Sequence, residues 1–231
     1  MMKDFKQISE RLKQIATYID SNMRFADIGS DHAYLPSYVC LQNQTVQAIA
    51  GEISNGPYDR AKQTIEEYGL TDQIQVRLGN GLEVIERDEV DAIVIAGMGG
   101  GLIASILKEG AHKLEHITRI IAQPNTNGYI VRKTLHELGY TPIKEQIIEE
   151  NNHIYEMIVA ERAEDHTLDE KEYMFGPILL QEKSSTFIKK WTKERDKVLY
   201  ILNQMNKSTE KNEEKIYQYE KTLRWIEEVI R

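Results

Sequence analysis

Four short stretches of this chain place acids, glycines and amides where an apolar run stops, an arrangement from which a ligand site can be built. The first is Phe25-Ala26-Asp27-Ile28-Gly29-Ser30-Asp31-His32-Ala33-Tyr34: an apolar strand ending in an acid, a glycine turn, then a helix start. Gly29 permits close backbone approach, and Asp27 is placed to hold a cationic or hydroxyl-bearing group; a plain strand-to-helix turn is the rival reading. In the second stretch, Ala50-Gly51-Glu52-Ile53, Glu52 follows Gly29 by 23 residues. An acid at that distance can accept both hydroxyls of a ribose. The third, Leu78-Gly79-Asn80-Gly81, offers a small polar side chain and glycine backbone to the edge of an adenine. The fourth, Ala96-Gly97-Met98-Gly99-Gly100-Gly101, strips side chains from the rim of the next strand.

The chemistry of these loops separates one nucleoside ligand from another. A dinucleotide calls for G-x-G-x-x-G ahead of a helix whose N-terminus can take pyrophosphate. Here the positions two and four after Gly29 are Asp31 and Ala33, and a carboxylate facing pyrophosphate is repulsive, so NAD and FAD are disfavoured. The same acids suit S-adenosylmethionine, which lacks phosphate and carries a sulfonium and an ammonium. Residues 97–101 are not a P-loop, having no Lys-Ser/Thr after them. No His, Asp and Glu grouping has metal spacing and Cys40 is the only cysteine, so neither a metal site nor an internal disulfide is expected.

These loops need a scaffold, and the apolar pattern supplies one. Short β-rich runs at 24–28, 45–51, 74–78, 91–96 and 119–123 alternate with amphipathic segments such as 57–68 and 102–109. Strands alternating with helices imply an α/β fold: a Rossmann-like parallel sheet with crossover helices on both faces. Ile93, Val94 and Ile95 in succession, like Ile120 and Ile121, suit strands buried on both sides. Runs at 143–148 and 155–160 leave no room for a helix between them, so they should pair as an antiparallel hairpin. Ahead of the first strand, Ile8, Leu12, Ile15 and Ile19 recur at helical spacing. After about residue 160 the pattern changes. Ile188, Trp191, Val198, Leu202 and Met205, then Ile216, Tyr219, Leu223, Ile226 and Ile230, follow spacings of three and four on either side of a polar break at 206–210. Two antiparallel helices in a coiled-coil hairpin are expected, giving domains at 1–160 and 161–231. Trp191, Tyr217, Tyr219 and Met98 are expected in the core or hairpin seam, and Cys40 in a buried helix with no catalytic part.

Composition sets outer bounds. With 231 residues, 41% hydrophobic and 29% charged, the chain is ordinary globular material and excludes collagenous or wholly disordered readings. No apolar run approaches the roughly 18–20 residues of a membrane span, so a cytoplasmic protein is expected. The net charge of −8 argues against a nucleic-acid partner if read as a whole. Its distribution is uneven, however: residues 1–160 carry 15 basic and 22 acidic side chains, and residues 161–231 carry 14 and 15. Lys183, Lys189, Lys190, Lys193, Arg195 and Lys197 form a local basic stripe against only Glu194 and Asp196.

Asp27-Ile-Gly-Ser-Asp-His-Ala-Tyr-Leu-Pro36, the Gly97-Met-Gly-Gly100 loop, Gln123-Pro-Asn125 and the trailing hairpin together resemble the bacterial TrmK family, whose members methylate N1 of adenine-22 in tRNA with S-adenosylmethionine. The resemblance covers essentially the whole chain. It implies a class I methyltransferase domain followed by a coiled coil that helps to hold tRNA. Position by position, it implies that Asp27, Gly29 and Glu52 hold the methionine part and ribose, with Ser30, His32 and Ile53 beside them, and that Asn80 and Gly81 hold the cofactor's adenine. Ala96, Gly97 and Met98 would border the transferred methyl. Asp31, His32, Tyr34, Gln123, Pro124 and Asn125 would line the entrance for the target base, with Arg11 near the same mouth.

N1 of neutral adenine already has an in-plane lone pair, so catalysis needs alignment and charge handling rather than prior proton removal. Asp31 is expected to favour the cationic ring, Asn125 to hydrogen-bond the base edge, and Tyr34 or His32 to stack. The rivals are a cofactor ligand for Asp31, a capping or packing role for His32 and an Asx-type turn for Asn125. Because the target base must leave its stack, Lys189, Lys190, Lys193, Arg195 and Lys197 are expected to grip distant RNA backbone. A solvated helix face or a dimerisation hairpin is the competing explanation for them. A class I methyltransferase acting on another RNA or a small molecule, and a non-catalytic protein binding S-adenosylmethionine and RNA, remain as alternative functions. A monomer is expected.

Overall fold

The computed structural model describes residues 8–163, 167–207 and 211–231. A short helix, α1 (Glu10–Ala16), precedes one seven-stranded sheet of order β3-β2-β1-β4-β5-β7-β6. Its strands are β1 (Arg24–Ile28), β2 (Gln47–Glu52), β3 (Ile74–Leu78), β4 (Ala92–Gly99), β5 (Arg119–Thr126), β6 (Tyr140–Glu150) and β7 (His153–Arg162). The first five pair in parallel, joined through α2 (Tyr34–Gln42), α3 (Asn55–Tyr68) and α4 (Gly100–Glu109), while β7 lies antiparallel to both neighbours. Helix α5 (Gly128–Glu137) links β5 to β6. Alternation along the buried strands divides the interior in two: Ile93, Ile95 and Ile120 pack on one face of the sheet, Val94 and Ile121 on the other.

Two local differences from the sequence expectation have clear causes. Asn151 and Asn152 both take positive φ, 50° and 65°, and Glu150 pairs with His153, so β6 and β7 meet through a two-residue turn tighter than the loop expected. Asparagine tolerates that region, and such turns match the twist of paired strands, which is why both strands extend further. The leading helix is shorter than the apolar spacing suggested. After Ala16 the bonds of Thr17, Tyr18 and Ile19 run to residues three back, tightening the last turn, yet Ile8, Ile15 and Ile19 are all buried.

The C-terminal helices are α6 (Glu170–Phe175), α7 (Pro177–Glu182), α8 (Ser185–Lys207) and α9 (Glu213–Val229). The first two are too short to show a helical period; a capping box between Asp169 and Glu172 and a proline opening α7 after Gly176 define them. Asn206 and Lys207 belong to α8, and the rest of the expected polar break, 208–210, lies outside the described residues. The ten residues expected at helical spacing on the two long helices all join one core with Phe175, Leu179, Phe187 and, from the sheet, Ile147. The long helices are thus attached to the β6–β7 hairpin through shared apolar packing. Tyr217 departs from expectation: it is 56% exposed on α9. Cys40 is buried in α2, which pushes its thiol up to about 12.

Candidate active site

Strand order reverses between β1 and β4, the point at which open α/β sheets bind ligands at the carboxyl ends of their strands. Asp27 is the penultimate residue of β1 and Glu52 closes β2, in adjacent strands and both buried. Burial pushes the Asp27 carboxyl up to about 7; the Ser30 hydroxyl, donating to its Oδ2 at 2.6 Å, opposes this and the Glu52 charge adds to it. Burial also raises Glu52, against a backbone hydrogen bond from Asp31. Glu52 Oε1 is buried and has no hydrogen-bond partner among the described residues. A buried acceptor left in that state costs about 1–3 kcal/mol, which a ligand hydroxyl or cation would recover.

The loop after β1 is tied down and strained. Gly29 and Ser30 both donate backbone N–H to Gly51 O, at 2.9 and 3.2 Å. Gly29 also meets Met98 from β4: a Cβ at residue 29 would overlap the methionine methyl, so the first and fourth sequence stretches touch across the switch point. Asp31, His32 and Ala33 then follow with φ of 40°, 69° and 56°. Left-handed backbone is unfavourable by roughly 1–2 kcal/mol per non-glycine residue, and such strain concentrates at functional sites. The His32 and Tyr34 rings stack at 5.1 Å with an 8° interplanar angle, and His32 Nε2 lies 3.3 Å from Asp31 Oδ1. Asp31 itself stands at the rim with its side chain 81% exposed, apart from the buried acids below.

Gly97 sits in a bulge of β4, where the register with β5 shifts, and has φ of 77°. That conformation suits glycine and turns the peptide towards β5. Its N–H donates to Gln123 Oε1 at 3.0 Å, and its carbonyl accepts from Asn125 Nδ2 at 2.7 Å. Arg11 Nη1 also donates to Gln123 Oε1. With its oxygen taken by two donors, buried Gln123 must present Nε2 to Asn125 Oδ1, at 3.1 Å. The orientation of Asn125 is therefore set, through Gln123, by a cation on α1 and a backbone N–H on β4. Tyr155, which sequence reasoning missed, lies beneath the Arg11 guanidinium at 5.2 Å.

The rest of the predicted set falls around this mouth. Asn80 precedes a 3-10 turn, residues 81–84, and its N–H is received by the Glu83 carboxylate at 3.1 Å. Ile53 and Leu78 expose 70% and 52% of their surface at the ends of β2 and β3, an apolar edge flanking Glu52. Pro124 is buried and Asn125 exposed. Of the hairpin cations, Lys190, Lys193 and Lys197 line a cleft that also includes Pro124 and Asn125. The structure does not bring the other two there: Lys189 pairs with Glu149 at 2.7 Å, and Arg195 with its neighbour Asp196 at 2.7 Å. Lys190 has a second commitment, because it pairs with buried Glu156, as Arg132 does at 3.3 Å; Arg132 also binds Glu145 at 2.5 Å. Nothing in the sequence signalled this buried charge cluster, since an arginine and two glutamates on amphipathic elements read as solvent-facing.

A sheet of this order, with acids closing β1 and β2 and a glycine bulge on β4, is the architecture of class I methyltransferases. The chain belongs to the TrmK family, tRNA (adenine(22)-N(1))-methyltransferase, whose profile matches residues 25–228. It is 43% identical over 231 residues to the tRNA (adenine(22)-N(1))-methyltransferase of Bacillus subtilis (strain 168), covering 97% of each chain. The crystal structure of the B. subtilis M1A22 tRNA methyltransferase TrmK superposes with a TM-score of 0.92 at 40% identity over 100% of both chains. Streptococcus pneumoniae Sp1610, solved in complex with S-adenosyl-L-methionine, gives a TM-score of 0.87 at 39% identity over 97% of this chain and 100% of that one. Among the described residues no group of three His, Cys, Asp or Glu could hold a metal, and no helix is long and apolar enough to cross a membrane.

Proposed function

We propose that this chain transfers a methyl group from S-adenosylmethionine to N1 of adenine 22 in tRNA. The observation that carries the proposal is the buried acid pair at the switch point, with Glu52 Oε1 unpartnered beside Asp27. Two buried acids on adjacent strands, of which Asp27 feels the Arg11 charge and Glu52 Oε1 has no hydrogen-bond partner among the described residues, fit a ligand bearing hydroxyls and positive charge better than a phosphate. The cofactor supplies an electrophilic methyl on a sulfonium. Glu52 accepts the ribose hydroxyls, with Ile53 on the apolar edge beside it. Asp27, held by Ser30, meets the cationic methionine part, and Gly29 and His32 form the turn above it. Asn80 and Gly81 border the adenine, and Ala96, Gly97 and Met98 the methyl.

On the substrate side, Asn125 Oδ1 keeps a lone pair for the 6-amino group of the base, while N1 stays free to attack. Pro124 and Gln123 floor the entrance, and Arg11 keeps the amide pair in register. The Tyr34–His32 stack stands on the other side with Asp31, whose charge grows more favourable as positive charge moves onto the adenine ring. Lys193 and Lys197 hold RNA backbone, and Lys190 anchors α8 through Glu156; Lys189 and Arg195 add to the field of the same helix. We place the work in the cytoplasm, with the tRNA pool, and by a monomer, because the apolar registers of α8 and α9 are occupied within the chain. We retain 1–160 as the catalytic domain and 161–231 as its tRNA-holding appendage. Radiolabelled methyl transfer to unmodified tRNA, followed by mass mapping, tests the proposal; no label, or label at another position, refutes it.

A further inference from the structure

A second cleft stands beside the proposed cofactor pocket. It lies between the exit of β5 and the α8–α9 hairpin, has a volume of about 730 Å³, and is lined by both Asn125 and Trp225. That volume is within the roughly 300–1,000 Å³ of ordinary ligand sites. Asn125 belongs to both places, since its Nδ2 holds the Gly97 carbonyl. Anything bound in the cleft therefore adjoins the reacting base.

The lining has the composition of a single-strand nucleic-acid site: cations interleaved with aromatic rings. In a chain of net charge −8, four lysines face this one space. Lys190 and Lys197 are paired with Glu156 and Glu194. Lys193 and Lys221 make no ion pair among the described residues. Lys221 rests instead on the Trp225 ring, its Nζ 4.6 Å from the centroid. A lysine without a carboxylate, parked on an indole, is free to turn to a phosphate and leave the ring to a base. At the floor, Trp191 is 6% exposed and its Nε1 finds no acceptor among the described residues.

We infer that this cleft is a second nucleotide site, which takes the RNA nucleotide adjoining the target adenosine, with its phosphate on Lys193 and Lys221 and its base on Trp225. The inference rests on the proposed tRNA substrate and deepens it: the flipped base is held by gripping its neighbour, not only by distant backbone contacts.

The test uses the full chain and tRNA transcripts with an abasic residue on one or the other side of the target. Wild-type protein should bind one of the two about tenfold more weakly than intact tRNA, as loss of one stacked base gives. Trp225→Leu should bind intact tRNA with the same deficit and be indifferent to the abasic residue, while Trp225→Phe restores discrimination. Lys193→Gln and Lys221→Gln should each reduce the slope of log affinity against log salt by about 0.7. Abasic transcripts that bind like intact tRNA, a penalty that survives in Trp225→Leu, or an unchanged salt slope in both lysine variants would overturn the inference. Should Trp225→Leu not fold, the lysine slopes decide. Wild-type protein that binds intact tRNA but never methylates it defeats the proposed function instead, and the binding comparison still reads the cleft.

Discussion

Replacing Asp27 by Asn separates the demands of ligand binding from those of folding. Burial holds the Asp27 carboxyl at about 7 in the folded chain, against an ordinary value of 3.8. Between those values the folded protein keeps a proton that the unfolded chain releases. Stability contributed by this group is therefore fully present below 3.8 and lost as pH rises through about 7. The difference between 3.8 and about 7 corresponds to about 4 kcal/mol, and the loss proceeds at up to about 1.4 kcal/mol per pH unit. An asparagine does not titrate, and Glu52 is the same in both proteins. Urea unfolding of ligand-free wild type and Asp27→Asn should therefore show the difference moving in favour of the variant by about 3 kcal/mol between pH 5 and pH 8. The same variant should lose S-adenosylmethionine binding, and wild-type affinity should weaken up to tenfold per unit as pH falls below about 7, because the cation meets a protonated acid. A stability difference that stays constant from pH 5 to pH 8 would refute the reasoning, whatever its size.

Asp31→Ala should lower kcat about ten- to a hundredfold while cofactor affinity, read by calorimetry, is unchanged; equal losses would make Asp31 a cofactor ligand. Arg11→Ala should cut kcat about tenfold without moving cofactor affinity, since it releases Gln123 and with it the setting of Asn125. In Arg132→Met, Glu145 and Glu156 lose their buried arginine, and thermal or urea unfolding should show a loss of about 3–5 kcal/mol. Gly100→Ala would place a methyl 2.7 Å from Thr126 O and against the Asn127 carbonyl. It should cost about 1–3 kcal/mol in stability and also reduce activity, because the turn that must give way follows Asn125.

The packing of the C-terminal helices bears on how their role is tested. Truncation near residue 165 would strip cover from Ile147 and Ile154 as well as remove the hairpin, so loss of tRNA affinity would not distinguish contact from unfolding. Point changes at Lys193 and Lys221, exposed or half-buried on the helix surface, avoid that confusion.

Much of this molecule follows from local pattern. Period-two and unbroken apolar runs identify the strands, because a strand buried on both faces leaves little freedom in composition; β1 and β3 end where the residues alone placed them. Asp27, Glu52 and Gly29 were legible because each stands where a strand stops, a position read along the chain; Gly97 was legible from its glycine-rich run, although β4 continues through it to Gly99. The backbone strain across 31–33, the tight Asn151-Asn152 turn and the short helices α6 and α7 were not, since each depends on partners or dihedral angles that no spacing records. Only the tertiary structure could bring Arg11 to Gln123, 112 residues away, and so orient Asn125. It alone sorted the basic stripe, sending Lys190 into a buried cluster, Lys189 and Arg195 to other acids, and Lys193 to a cleft shared with Trp225. Sequence determines which side chains carry charge and which segments must be buried; the pairing of charges is decided by distance in space, because electrostatic and hydrogen-bond energies fall off within a few ångströms.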